Sequence, residues 1–196
     1  MGIMEQKKLA KRRRLLRAAY ELFCEKGVES TSVDDIVRRS DVAKGTFYLY
    51  FRDKTALLES LCMYISHYLA QEAFDTVQVT ELPLADGVVA FADYVIEFFK
   101  QKPDVLRLLE SNFYWALVEN ELDKGSSPIV QKLRGWFHNS PELRERTSSQ
   151  RRNLVFILLE TVGSVCYASI IRGQPDSIDQ MKPILFQVLR NSLQQA

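Results

Sequence analysis

The sequence predicts an all-α fold, with a three-helix N-terminal head carrying a helix-turn-helix and a six-helix C-terminal body. Two observations lead there. Apolar residues recur at helical spacing through nine segments bounded by caps, Gly or Pro. Nothing reads as a strand: the nearest candidate, Gly45–Phe51 (GTFYLYF), lies between capped helices and would have no pairing partner.

The first helix is expected over residues 6–26. Leu9, Leu16, Ala19, Tyr20 and Phe23 share one face, and Gly27 stops it. Thr31 or Ser32 then caps a short helix over 33–39, with Asp34 or Asp35 completing a capping-box pattern. Ile36 and Val37 anchor that helix, and Ser40-Asp41 supplies turn chemistry. In the next helix, 43–49, Val42 and Phe47 pack back onto the first of the pair. Lys44, Gly45, Thr46, Tyr48 and Tyr50 project from it. Such a layout suits a second helix entering a major groove: a small residue allows close approach, and donors meet phosphates and base edges.

The run TSVDDIVRRSDVAKGTFYLYFRDKTALL, and above all Gly45–Phe51 followed by Lys54 and Leu57-Leu58, resembles the DNA-binding signature of the tetracycline-repressor (TetR) family of bacterial regulators. The likeness covers about the first third of the chain. One departure is Asp41, which stands where the turn often carries Gly, yet Asp tolerates left-handed geometry. The resemblance implies a three-helix head on a six-helix body, with residues 1–53 binding DNA and 54–196 serving ligand binding and dimerisation. The expected DNA-binding residues are Ser32, Lys44, Gly45, Thr46, Tyr48, Leu49, Tyr50 and Lys54. Lys54, in the first turn of a helix over 54–75 capped by Asp53, is a natural phosphate clamp. The basic run Lys7, Lys8, Lys11, Arg12, Arg13, Arg14 and Arg17 is read as reaching along the duplex backbone.

Charge agrees with that division. Overall the chain is near neutral at +1, but residues 1–54 carry 13 Lys/Arg against 8 Asp/Glu, and residues 55–196 carry 13 against 17. The basic excess therefore sits beside the helix-turn-helix, as a phosphate-binding surface requires. Cys24, Cys62 and Cys166 have neither metal-ligand nor redox spacing and read as buried free thiols. The N-terminus lacks an apolar core segment, so it is not a secretory signal, and Gln6 breaks a myristoylation pattern. No apolar run is read as long enough to span a membrane, and a cytoplasmic location is expected.

Residues 76–83, polar and ended by Pro83, read as the one good linker. Body helices are expected over 84–101, 104–122, 128–139, 148–172 and 177–193. The last two carry apolar residues on more than one face, which calls for a second chain: half of a four-helix homodimer interface, with Pro183 bending or delaying the final helix. Aromatics crowd the other helices, and Tyr94, Phe98, Trp115, Phe137 and Tyr167, with Glu160, are the expected ligand-binding residues. Glu160 is expected either to be paired or to face a cavity. His67 and His138 sit in no triad or metal spacing, and no cofactor or metal pattern is present. The reading is a dimeric repressor released from an inverted-repeat operator by a small apolar or aromatic effector, and not an enzyme. Alternatives are a regulator whose body answers to a protein partner and, remotely, an all-helical enzyme.

Overall fold

A computed structural model of the chain describes residues 3–112 and 127–194, and these form nine α-helices and no strand. The chain divides into two compact units, Met1–Ile65 and Ser66–Ala196. The division falls inside one long helix, twelve residues beyond the boundary expected at 53/54.

In the first unit, α1 (Ile3–Lys26) begins three residues earlier than expected. Gly27 ends it at φ +81, a left-handed conformation natural to glycine, with its N–H on the Phe23 carbonyl at 3.0 Å. The short helices α2 (Val33–Ser40) and α3 (Lys44–Tyr50) follow, and then α4 (Lys54–Val77), whose start is capped by Asp53 Oδ1 accepting from the Ala56 N–H at 2.7 Å. Leu15 and Ala19 of α1, Ile36 of α2, Phe47 of α3 and Leu57 of α4 are all fully buried together as one core. Each such Leu, Ile or Phe contributes about 1.5–3 kcal/mol, which is what holds helices this short in place.

The second unit contains α5 (Leu84–Gln101), α6 (Pro103–Asn112), α7 (Pro128–Asn139), α8 (Ser148–Cys166) and α9 (Ile178–Leu193). The expected helix over 104–122 is described to Asn112, and the remainder lies outside the described residues. Three expectations are corrected. Residues 76–83 are no loose linker: α4 continues to Val77, a 3-10 turn spans Val79–Glu81, and Val79 is fully buried beneath Gly87 of α5. Pro183 does not delay α9, which runs from Ile178 continuously through it. The helix expected over 148–172 changes pitch, because Tyr167–Ile171 wind as a π-turn.

Helices α5 and α9 are joined by a ladder of ion pairs. Asp86 meets Arg190 at 2.9 Å, Lys182 reaches both Asp93 (2.6 Å) and Glu97, and Lys100 meets Asp179 at 2.7 Å. Burial disfavours the Lys182 ammonium, but its two carboxylate partners outweigh that and raise its pKa. One described helix, Ser148–Ile171, is long and apolar enough by length and composition to cross a membrane, contrary to the sequence reading. Its side chains explain why: Phe156, Ile157 and Leu159 are exposed in the single chain. Cys62 in the first unit and Cys166 in the second are buried, and desolvation pushes both thiols up to about 12.

Candidate nucleic-acid interface

Two clasps set the geometry of α2 and α3. Ser32 caps α2: its hydroxyl accepts from the Asp35 N–H at 3.1 Å, while Asp35 Oδ2 accepts from the Ser32 N–H at 3.0 Å. Thr31, the other candidate cap, is buried instead and donates to the Gly27 carbonyl at 2.8 Å. Asp35 also takes a 2.8 Å bond from Lys26, and that bond, followed by those from Ser32, holds its carboxyl well below the usual range. At the other end, Asp41 adopts the left-handed conformation, φ 51 and ψ 47, and sends its N–H back to α2. Arg14 of α1 donates at 2.8 Å both to the Asp41 carbonyl and to its carboxylate, so the turn is held by charge where a glycine would be held by sterics alone.

The turn delivers α3 with one face down and one face out. Phe47 is fully buried, stacked edge-on against Tyr48 at 5.2 Å between ring centres. Outward, Tyr48 is 52% exposed and Leu49 81% exposed. Leaving that much apolar surface in water gains nothing for the free chain, so both side chains are available to an incoming partner. A Cβ built on Gly45 would meet nothing within 4 Å, so its smallness serves no packing inside the chain. Lys44 and Gly45 are exposed, while Thr46 and Tyr50 are half-buried at the margins of the same helix.

Two expected contact residues are otherwise engaged. Lys54, the presumed clamp of the sequence reading, donates its ammonium to the Val28 carbonyl at 2.7 Å and is half-buried. Lys44 pairs with Asp34 at 2.8 Å, and that carboxylate raises its pKa. Sequence reasoning missed the Arg14–Asp41 clasp, since the partners lie 27 residues apart.

The expected ligand-binding residues differ in burial. Phe137 is buried; Tyr94, Phe98 and Tyr167 are half-buried, with Phe98 packed on Phe99 and Tyr167 beneath the Arg172 guanidinium at 5.0 Å. Trp115 lies outside the described residues. Glu160 is exposed on α8 in the single chain. A shallow recess of about 260 Å³ among the described residues of the body is lined by Ala85, Glu142, Leu193 and Gln194.

Residues 15–61 match the profile of bacterial regulatory proteins of the tetR family. Over 58 residues the chain is 41% identical to YvdT, an HTH-type transcriptional regulator of Bacillus subtilis. That alignment covers 30% of either protein, and the chain's alignments with the first curated relatives span only 19–30% of their length. Among solved structures, a TetR-family transcriptional regulator from Streptomyces coelicolor is similar with a TM-score of 0.67 at 19% identity, over 93% of this chain and 97% of that one. FadR from Bacillus subtilis in complex with stearoyl-CoA is similar with a TM-score of 0.59 at 16% identity, over 92% of this chain and 98% of that one.

Proposed function

We propose an operator-and-effector mechanism for a chain that belongs, by its head and its helical fold, to the TetR family of DNA-binding transcriptional regulators. In this reading the chain is a repressor that binds an inverted-repeat operator as a homodimer in the cytoplasm. Residues 1–53 form the DNA-binding domain, and 54–196 bind a small apolar or aromatic effector and dimerise through α8 and α9. The observation that carries the DNA reading is α3 itself: Tyr48 and Leu49 stand out from a helix whose Gly45 faces open space. Such a helix fits a major groove, where an aromatic edge and an aliphatic chain read bases while the small residue admits the backbone. Ser32 and Lys44 stand at its approach, with Thr46 and Tyr50 flanking it. Lys54 supports the domain through Val28 as well as facing DNA.

The effector reading rests on the body's aromatics and on the likeness to a regulator solved with stearoyl-CoA. Such an effector acts only by binding the DNA-incompetent state more tightly, with a coupling of about 1–3 kcal/mol in typical cases.

Selection of duplexes from a randomised library by the purified chain tests this. Recovered sites are expected to be inverted repeats with half-sites one helical turn apart or a multiple of it. Tyr48→Ala should flatten preference among half-site variants by about 1–3 kcal/mol per lost base contact. Lys54→Ala should weaken all duplexes alike. Recovery of no common sequence would overturn the reading. Stearoyl-CoA titrated onto the selected complex probes the switch, with operator release as the expected result.

A further inference from the structure

The positive charge of the first unit is not where its recognition helix is. Beyond residue 13, nearly every cation of that unit is already matched. Arg14 holds Asp41, Arg17 holds Glu21, Lys26 and Arg38 share Asp35, Arg39 holds Glu21 and Glu25, Lys44 holds Asp34 and Arg52 holds Asp53. Lys54 already donates to a carbonyl. Among the described residues, Lys7, Lys8, Lys11 and Arg13 have no such partner, and all four are exposed. They stand on the first turns of α1, which are regular helix from Ile3 onward although residues 4–11 are all exposed.

We infer that the salt-dependent part of DNA affinity resides in these N-terminal turns of α1, which lie along phosphates beside the half-site, and not in α3. The inference rests on the DNA-binding reading above. Charge complementarity selects the partner, since Lys7, Lys11 and Lys8 fall within an arc of about 100° on the first turns of α1 and match the regular spacing of duplex phosphates. The turns also continue the interface already described. Arg12 lies over the ring of Phe51, the residue that ends α3, at 5.5 Å, and Arg14 grips the turn that begins it. Lys7 and Lys8 near a helix N-terminus oppose the helix dipole, with Glu5 alone to offset them, so a polyanion relieves a tension present in the free chain. Lys44, by contrast, must give up Asp34 to reach a phosphate. The counterion it releases from DNA is balanced by the one the freed carboxylate attracts. An anionic membrane is the poorer match: the exposed apolar residues of the arm, Met4 and Leu9, point about 140° apart and form no apolar face.

The test is the slope of log affinity against log salt concentration, measured with the full chain on a selected duplex and on a random-sequence duplex of equal length. In the variant Lys7→Gln, Lys8→Gln, Lys11→Gln, Arg13→Gln, the slope should shrink by roughly two to three on both duplexes, near 0.9 for each of the three lysines on the shared arc. The ratio of selected to random affinity should stay unchanged. Restoring charge with Arg at positions 7, 8 and 11 should restore the slope, whereas Lys44→Gln should change it by less than one. Because the four side chains are exposed and form no ion pair among the described residues, helix content and thermal midpoint should match the parent's. A parental chain that binds duplexes without sequence preference sinks the functional reading; a parental slope retained by the quadruple variant sinks this one alone. Loss of binding to anionic phospholipid vesicles, with the DNA slope intact, would also overturn it in favour of a membrane.

Discussion

Asp35 concentrates several roles in one carboxylate. It closes the capping box with Ser32, accepts from Lys26 of α1 and meets Arg38 one turn on. Its folded pKa is depressed, so its contribution is present above the unfolded carboxylate value, about 3.9, and is lost as pH falls through the lower folded value. Asp35→Asn should therefore lower the thermal midpoint at neutral pH, and the gap from the parent should close in acid, below about pH 4. Ser32→Ala should cost roughly 1 kcal/mol at neutral pH and somewhat less in acid, since its hydroxyl caps the helix and also bonds the Asp35 carboxylate. Thermal unfolding followed by circular dichroism from pH 3 to 8 separates the two, using roughly the span over which carboxylates titrate. At this scale the sequence was ambiguous for a physical reason. Thr31-Ser32 and Asp34-Asp35 each offer two residues of the right chemistry, and only burial of the Thr31 hydroxyl against Gly27 decides between them. The same holds for Lys54, whose preference for a carbonyl 26 residues away leaves no local trace.

Helix pairs are fixed by features of a different kind. Where α5 crosses the turn Val79–Glu81 and α7, Gly87 leaves room for the Trp136 indole. A Cβ there would sit 2.8 Å from Trp136 Cζ2 and 3.2 Å from the Val79 carbonyl oxygen. Neither a ring nor a backbone atom yields cheaply, so Gly87→Ala should destabilise the chain by about 1–3 kcal/mol. That sign holds even though Ala favours helix over Gly by about 1 kcal/mol. Urea unfolding followed by tryptophan fluorescence checks it. Helix positions were legible in the sequence because 3.6-residue periodicity and the stops at Gly27, Pro103, Pro128 and Ser140-Pro141 are local signals. The Asp86–Arg190 and Lys100–Asp179 rungs were not, because their partners are 104 and 79 residues apart. Nor was the π-turn at Tyr167–Ile171, since one extra residue per turn barely disturbs an apolar pattern.

For the whole molecule, the decisive surface is the one left bare. Phe156, Ile157 and Leu159 of α8 and Ile184 and Val188 of α9 are 37–63% exposed, more apolar surface than a lone chain of this size usually leaves uncovered. The sequence announced this face through its double apolar stripes, because a helix apolar on two sides must be covered on both. Val188→Glu should therefore shift sedimentation from dimer to monomer and abolish tight operator binding together, since an unpaired charge in such an interface is strongly unfavourable. A variant that stays dimeric would move the interface elsewhere.

The two sealed thiols have a kinetic meaning. Cys62 lies in the first unit and Cys166 in the second, each at most 1% exposed and each with a thiol held near 12. Thiolate is scarce at neutral pH, so a thiol-directed reagent reaches either sulfur only when the surrounding helices part. Labelling at Cys62 thus times the opening of one unit, and labelling at Cys166 times the opening of the other, within one chain and one reaction. A ligand that binds only the closed form slows the clock of the unit it closes. Duplex DNA should retard Cys62, a body-directed effector Cys166, and any cross-effect between them would measure how far the two units open as one.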